Sequence, residues 1–389
     1  MMADNIEHVI TYWVLWQTFH SEALVGFQVI SHWVPFLLLS VFFGGLADRY
    51  DCRRVIQTGQ ALFMTVSLTW AVLFLTGTLQ VWHACVLLVL HGVAGAMWGP
   101  AEQMMLHDFV GPDDLPSAVR LNAVFKSMGV LVGPVIGSAL LLGLGPVHGL
   151  FVNAAIYLPL TLFLFRTRFT GHVRRDGVRK PRMTIADAVR TIRSVAANRT
   201  LVSMIMLAGL ASFLVGASLQ SAMPVFAGEL GAGDGISYGI LLFATGAGGV
   251  IGGLVLEASG RVAPSVPAAV VSTAVYGVAI LGFAVTGSYL LALVLLLVAG
   301  VANMASMSIG QTIVQLEAPP TERGRVIGVY TMCSAGLRFG SGFTVGLFGA
   351  VVGLHASLGV SAAILCLGTA LIAVYVWRGR RSPVVQPTS

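Results

Sequence analysis

The chain is built from long stretches without a single Asp, Glu, Lys or Arg: 23–47, 55–101, 127–165, 200–228, 235–256, 262–316 and 339–377. A helix needs about 20 apolar residues to cross a bilayer. Three stretches, 55–101, 127–165 and 262–316, are too long for one crossing. Each has a polar or Gly/Pro break near its middle, at Thr76–Gln80, Gly143–His148 and Thr286–Ser288. The run 339–377 breaks near Gly353–Ser357. Tight turns at these breaks predict spans at 23–47, 55–76, 82–103, 118–142, 148–166, 201–226, 237–259, 266–286, 289–315, 326–351 and 356–377. The shorter apolar piece Val9–Phe19 makes a twelfth. Helices are expected, because a helix satisfies its own peptide groups in lipid. The ten-residue alternation of a membrane β-barrel is not seen.

Composition narrows the class further. Of 389 residues, 56% are hydrophobic and only 10% charged, against about 25% charged in an ordinary soluble domain. The mean hydropathy is +0.87. Such a chain cannot hide its apolar surface in water, which argues against a soluble enzyme, a disordered chain and a nucleic-acid-binding domain. The net charge of +6 becomes informative once located. If loops alternate between two sides, twenty of the 22 Lys and Arg residues fall on one side and none on the other. The positive-inside rule makes that side cytoplasmic, with both termini there. Only Lys126 and Arg338 fall inside predicted spans.

The longest loop, 166–200, divides the chain into two six-helix halves, 1–165 and 201–377, with a tail at 378–389. Within it, Met183–Asn198 places Ile185, Val189, Ile192 and Val195 at helical spacing, with a weak capping pattern at Thr184 and Asp187, predicting an interfacial helix. A shift of 208 residues superposes landmarks of the halves. Gly44-Gly45-Leu46 falls on Gly252-Gly253-Leu254, Gly92 on Gly300, Gln103 on Gln311, Pro112 on Pro320 and Asp114 on Glu322. Two parallel six-helix repeats are the arrangement of one large transporter class.

The loop after span two reads Gly44-Gly45-Leu46-Ala47-Asp48-Arg49-Tyr50-Asp51-Cys52-Arg53-Arg54. It resembles the signature loop of the major facilitator superfamily, with Asp51 where Gly is common and Cys52 where a basic residue is common. The resemblance covers the chain from about residue 10. It implies the major facilitator fold, a cytoplasmic gate formed by Gly44, Gly45, Asp48, Arg49, Arg53 and Arg54, and a cavity lined by helices one, four, seven and ten. The second-half copy has Leu256 at the Asp48 position and Glu257 one place along, which leaves the symmetric gate contact open. Span five carries Gly129, Gly133, Pro134 and Gly137. This is similar to the superfamily's exporter motif, with Ser138 where a second Gly is usual. It makes a smooth packing face with a proline able to bend the helix. The segment from Pro320 through Glu322, Arg323, Gly324 and Arg325 to Val326, a second gate loop, resembles the branch with enterobactin and macrolide exporters, as does Asp114–Ala118.

Lys126 lies roughly 13 Å and Arg338 roughly 20 Å along their helices at 1.5 Å per residue. An intramembrane cation is a functional hypothesis by default. Two readings stand for each: a cavity-lining role or snorkelling to the cytoplasm for Lys126, and a cavity or salt-bridge role or the same snorkelling, harder at its depth, for Arg338. His91 in span four is a proton-carrier candidate, or a packed, hydrogen-bonded histidine. Glu102 and Glu257, near helix ends, are expected to be structural. Asn303, Gln311, Gln315 and Gln220 are further cavity candidates. A phosphate-binding loop needs Gly-Lys-Ser/Thr, and the only lysines are Lys126 and Lys180, so no nucleotide, metal or other cofactor is expected. Cys52, Cys85, Cys333 and Cys366 fall at the cytoplasmic face or within spans, where no structural disulfide is expected.

Span one is short, and Asp4, Glu7 and His8 precede it. Either the start is set too late or the first helix lacks its cytoplasmic half. The second case puts two acids in the membrane at a cost to transport. The expectation is an inner- or plasma-membrane monomer that exports a small amphiphile, drug or siderophore-like, in exchange for protons. Import by the same fold and a membrane sensor without flux are the alternatives. No catalytic cluster supports an enzyme, and no nucleic-acid partner is expected.

Overall fold

The computed structural model describes residues 1–20, 22–172, 185–216, 218–230, 235–259 and 263–380. Among these there is no strand. The first half contains α1 (Met2–Phe19), α2 (Glu22–Arg49), α3 (Cys52–Thr76), α4 (Val81–Ile156) and α5 (Leu158–Arg166). The amphipathic α6 (Ile185–Ala197) leads to α7 (Arg199–Leu214), α8 (Ser218–Glu229), α9 (Gly235–Ser259), α10 (Val266–Val285), α11 (Tyr289–Glu317) and α12 (Arg323–Ser334). A 3-10 turn (Gly336–Gly340), a π turn (Gly342–Leu347), α13 (Phe348–Val352) and α14 (Leu354–Arg380) complete the chain.

Six of the described helices are long and apolar enough to cross a bilayer, counting 81–166 as one. That stretch is not one crossing. Seventy-six residues of α4 would reach about 114 Å at 1.5 Å per residue, against a hydrocarbon core of ~30 Å. Gly111 and Gly145 break it, with φ of 78° and 77° and extended ψ, a conformation open to glycine. The limbs are 81–110, 112–144 and 146–156, the last continued by α5. Divided at their breaks, the described helices are consistent with twelve passes.

Three expected spans differ from the pattern. The first is not confined to Val9–Phe19: α1 runs from Met2 and includes Asp4, Glu7 and His8. The span 201–226 is interrupted between α7 and α8, where Gly216 has a φ of 35°. The span 326–351 is interrupted after Ser334 by the 3-10 and π turns. In both interruptions side-chain hydroxyls take over backbone acceptors, which is how broken membrane helices are tolerated. Ser212 donates to the Ser334 carbonyl (2.6 Å), and Thr344 donates to the Phe213 carbonyl (3.2 Å).

Buried apolar side chains gather by half. Ile6, Trp70 and Leu150 belong to one cluster of the first half, and Phe226, Phe283 and Leu296 to one of the second. Ile327 crosses over, packing with Val55 and Met104 of the first half. Outward-facing positions remain apolar, with Leu142 86%, Val351 83% and Val285 75% exposed. That surface is stable only against lipid. At α6 the expected apolar stripe is split: Val195 is buried while Val189 and Ile192 stay exposed. The chain bends by 105° between α6 and α7, placing α6 across the direction of the span. The predicted cap at Thr184 lies outside the described residues, as does the Asp187 side chain.

Glycines set the closest approaches. A Cβ on Gly92 would lie 2.2 Å from the Ser31 carbonyl oxygen of α2, and one on Gly300 2.1 Å from that of Thr245 in α9. These two repeat-related glycines play the same part in the two halves.

Candidate functional site

The half of α1 read as too polar builds the most polar interior of the molecule. Asp4, Glu7, His8 and Thr11 are spaced three and four apart, so they share one helix face. Opposite them stand His32 on α2, Ser67 on α3, and His91 and Asn153 on the first and last limbs of α4. His91 Nδ1 lies 2.9 Å from Glu7 Oε1, and Nε2 lies 2.8 Å from Asp4 Oδ1. Ser67 donates to Glu7 Oε2, and Asn153 donates to the same oxygen at 3.3 Å. Glu7 and His91 are buried. Each unpaired charge at the bilayer centre costs about 3 kcal/mol on insertion scales, and these contacts offset that cost. The two acids are therefore accommodated, and His91 is a clamped residue of this cluster. The spacing of Asp4, Glu7 and His8 signalled a polar face on α1. His32 carried no sequence signal of its own.

The glycine face of span five is explained by the same segment. Cβ atoms on Gly129, Gly133 and Gly137 would lie 3.0 Å from Met2 N, 2.6 Å from Asn5 Cβ and 3.1 Å from Val9 Cβ. The seam thus receives the N-terminal half of α1. Pro134 sits in an unbroken helical stretch, since the non-helical residues of α4 are Gly111 and Gly145.

The two halves meet at the end of the molecule that carries the basic loops. Asp48 is buried and accepts from the Gly324 and Arg325 backbone amides at 2.7 and 3.0 Å. It caps the first turn of α12, where the helix dipole favours an anion. A Cβ on Gly44 would lie 2.1 Å from the Gly324 carbonyl oxygen, while Gly45 faces the Arg325 stem. Arg53 is held by Asp51 and donates to the Thr167 carbonyl at 2.6 Å. Arg49 lies over Tyr50 and Arg54 over Phe165. Glu322 accepts from Thr191 at 3.2 Å, and Arg323 reaches His107 at 3.4 Å.

The second half makes a related contact through Glu257. Glu257 accepts from Ser117 and, at 2.8 Å, from Arg120, joining α9 to the middle limb of α4. Gly253, whose Cβ would lie 2.3 Å from Val124 Cγ2, takes the part of Gly44. Glu257 and Gly253 are each one residue beyond the 208-residue match, so the register between α2 and α9 is corrected by one. Gly252 instead packs within its own half, on Val301.

Lys126 has a carboxylate partner that neither of its expected arrangements named. Its Nζ donates to Glu102 at 2.6 Å and lies over the Trp98 ring. Gln103 accepts from Gln315 at 3.3 Å across the halves, and Asn303 and Gln311 are half-buried on α11. The Gln220 side chain lies outside the described residues. Arg338 leaves the helical path in the 3-10 turn, and its guanidinium lies 4.9 Å from the Trp33 ring centroid on α2. Among the described residues no carboxylate pairs with it. The turn is pressed on α2 so closely that a Cβ on Gly336 would lie 2.5 Å from Leu37 Cα. Arg338 therefore stands at the seam between the halves.

Residues 2–382 match the family model described as "Transmembrane secretion effector". A staphyloferrin A transporter of Staphylococcus aureus is 23% identical over 247 residues, 63% of this chain. The match spans 60% of that relative's length. Three solved structures superpose with a TM-score of 0.70. The human organic anion transporter MFSD10 is 16% identical, covering 94% of this chain and 89% of that one. The Escherichia coli fucose:proton symporter is 16% identical, covering 98% and 97%. An outward-facing bacterial homologue of the iron transporter ferroportin is 18% identical, covering 97% of each. At these identities the likeness concerns the fold.

Proposed function

The chain belongs to the transmembrane secretion effector family of major facilitator transporters, and from that premise we propose that it exports a small anionic amphiphile, drug-like or siderophore-like. Arg338 carries this reading. It is a cation at the seam, placed on a broken helix and backed by an aromatic ring rather than a carboxylate. A half-buried guanidinium with no acidic partner among the described residues favours a ligand that brings its own negative charge. Asn303 and Gln311 would add hydrogen bonds from α11. The staphyloferrin A transporter supports a siderophore-like cargo.

The positive-inside rule places the basic end in the cytoplasm of an inner or plasma membrane. Asp48 and Glu257 then latch that side shut. The family's description and the glycine seam of span five favour outward movement. The fucose:proton symporter of the same fold supports protons as the coupling ion, here moving opposite to a cargo carried by a monomer.

Energised inverted vesicles test the proposal. Wild-type protein is expected to accumulate an anionic amphiphile while releasing protons. Arg338→Ala is expected to lose about 10- to 100-fold in that uptake, the worth of a charge-assisted contact, while neutral amphiphiles are spared. An unchanged substrate profile would overturn the role of Arg338. Accumulation in right-side-out vesicles instead would identify an importer.

A further inference from the structure

The polar cluster on α1 has a geometry that hydrogen bonding alone leaves incomplete. The ligand atoms of Asp4, His8, His32 and His91 all lie within 4.8 Å of one another. Rings of His8 and His32, and of His8 and His91, have centroids 4.9 Å apart, and those of His32 and His91 5.8 Å apart. His8 Nε2 is 4.0 Å from Asp4 Oδ1. Three imidazoles therefore surround one carboxylate oxygen, drawn from three separate helical segments.

Two details point to a cation site. First, His32 Nδ1 is shut off from solvent and has no hydrogen-bond partner. A buried nitrogen left in that state calls for an explanation, and an ion is one of the few available. Second, a neutral imidazole has one N–H, yet both ring nitrogens of His91 face carboxylate oxygens. If Nδ1 donates to Glu7, Nε2 turns a lone pair toward Asp4, and a cation between them resolves the conflict. A proton could occupy that place, but it would leave His32 unpartnered. A metal ion engages both.

The surroundings have the form of a metal site's outer shell. Metal-bound histidines generally donate the other ring N–H to a carboxylate, which fixes the ring's orientation and raises its basicity. Glu7 occupies that position on His91 and is itself held by Ser67 and Asn153. Nitrogen-rich donors with one carboxylate suit zinc and its neighbours better than magnesium or calcium. Bonds of about 2.1 Å place tetrahedral ligand atoms about 3.4 Å apart. The cluster would reach that geometry if the Asp4–His91 contact opened by about half an ångström and the wider pairs closed by up to about 1.4 Å. Both changes are small side-chain rotations. Asp4 and His8 keep 16% and 20% of their side-chain surface exposed, leaving a route of entry.

We propose that Asp4, His8, His32 and His91 bind one divalent transition-metal ion, with Glu7 as the positioning residue for His91. The four ligands lie wholly in the first half, and Arg338 is their neighbour across the seam, lying over Trp33, whose ring centroid is 4.5 Å from that of His32.

The test uses the full chain in lipid nanodiscs, with Co2+ as an absorption probe and Zn2+ in calorimetry. One equivalent of metal is expected to bind. His8→Ala and His32→Ala should each weaken binding tenfold or more, and Glu7→Gln by about 10- to 100-fold. His355→Ala, outside the cluster, should bind as wild type. Zn2+ should raise the melting temperature of the wild type and not of the His8→Ala/His32→Ala double variant. Arg338→Ala removes a positive charge near His32 and should therefore bind metal at least as tightly as wild type whatever it does to export, which separates this proposal from the transport reading. No saturable binding by folded, monodisperse wild type would overturn the site. So would equal binding by the double variant.

Discussion

Asp48 and Glu257 occupy related places in the two halves and join them by different chemistry. The Asp48 side chain is fully buried; its oxygens accept from two backbone amides at the start of α12, with the Arg325 guanidinium at 3.6 Å beside them. Glu257 keeps 27% of its side chain exposed and binds side chains, a serine and an arginine. The first latch needs backbone against backbone, which is why glycines stand at 44 and 324. The second reaches across with a longer side chain and has only Gly253 at its contact. A buried carboxylate on helix amides is the stronger and more specific device, because its partners cannot rotate away. A partly exposed ion pair is weaker and screened by salt.

The sharpest way to break the Asp48 latch is to obstruct the backbone approach. A Cβ at Gly324 would sit 2.3 Å from the Gly44 carbonyl oxygen. Gly324→Val is therefore expected to hold the basic ends apart. Spin labels at the exposed positions Tyr50 and Glu317, in opposite halves, should show a longer distance as the dominant population, with transport abolished and membrane insertion retained. A single short distance would mean that α12 can shift without opening the seam.

Asp48→Asn should act less severely. It keeps the shape and one acceptor but removes the charge. Losing a buried charge-assisted contact is worth about 1–3 kcal/mol, a shift of roughly 5- to 150-fold toward the open end. The same label pair should report a mixture, and transport should fall without loss of insertion. Wild-type export rates would remove Asp48 from the gate.

Glu257→Gln should have the smallest effect. An ion pair of this exposure is worth about 0.2–1 kcal/mol, so the population should move by no more than about fivefold. Raising salt should reproduce much of this change at Glu257 and little of the change at Asp48. Equal salt sensitivity at both would show that the two latches do not differ in the way their burial implies.

The register of the second latch shows what a repeat in sequence can and cannot reveal. Matching Gly44 to Gly252 brought several landmarks into register, and it placed Leu256 opposite Asp48. Which glycine of the Gly252-Gly253 pair faces the other half depends on how α9 is rotated, and both fit an apolar pattern. Rotation is settled by packing, with Gly252 turned to Val301 and Gly253 to Val124. The start of the chain teaches a similar lesson. By hydropathy, Asp4 and Glu7 end the first span. Their cost is offset by His91, more than 80 residues away, and no window of local sequence contains that partner. The glycine face at 129–137 was visible as a face, but its occupant was not.

The one-dimensional pattern was enough to determine the helical membrane class, the breaks at Gly143–His148 and Thr286–Ser288 and the basic end, and it singled out Asp48, which the fold buries between the halves. All of these follow from local burial and from the bilayer's intolerance of unpaired backbone and charge. Tertiary structure alone decided which polar groups meet. It paired Lys126 with Glu102, left Arg338 against Trp33, gathered three histidines around Asp4, and gave Glu257 the second latch. Those outcomes depend on helix rotation and on close approach at glycines. Both are set by side-chain packing between segments that lie far apart in sequence.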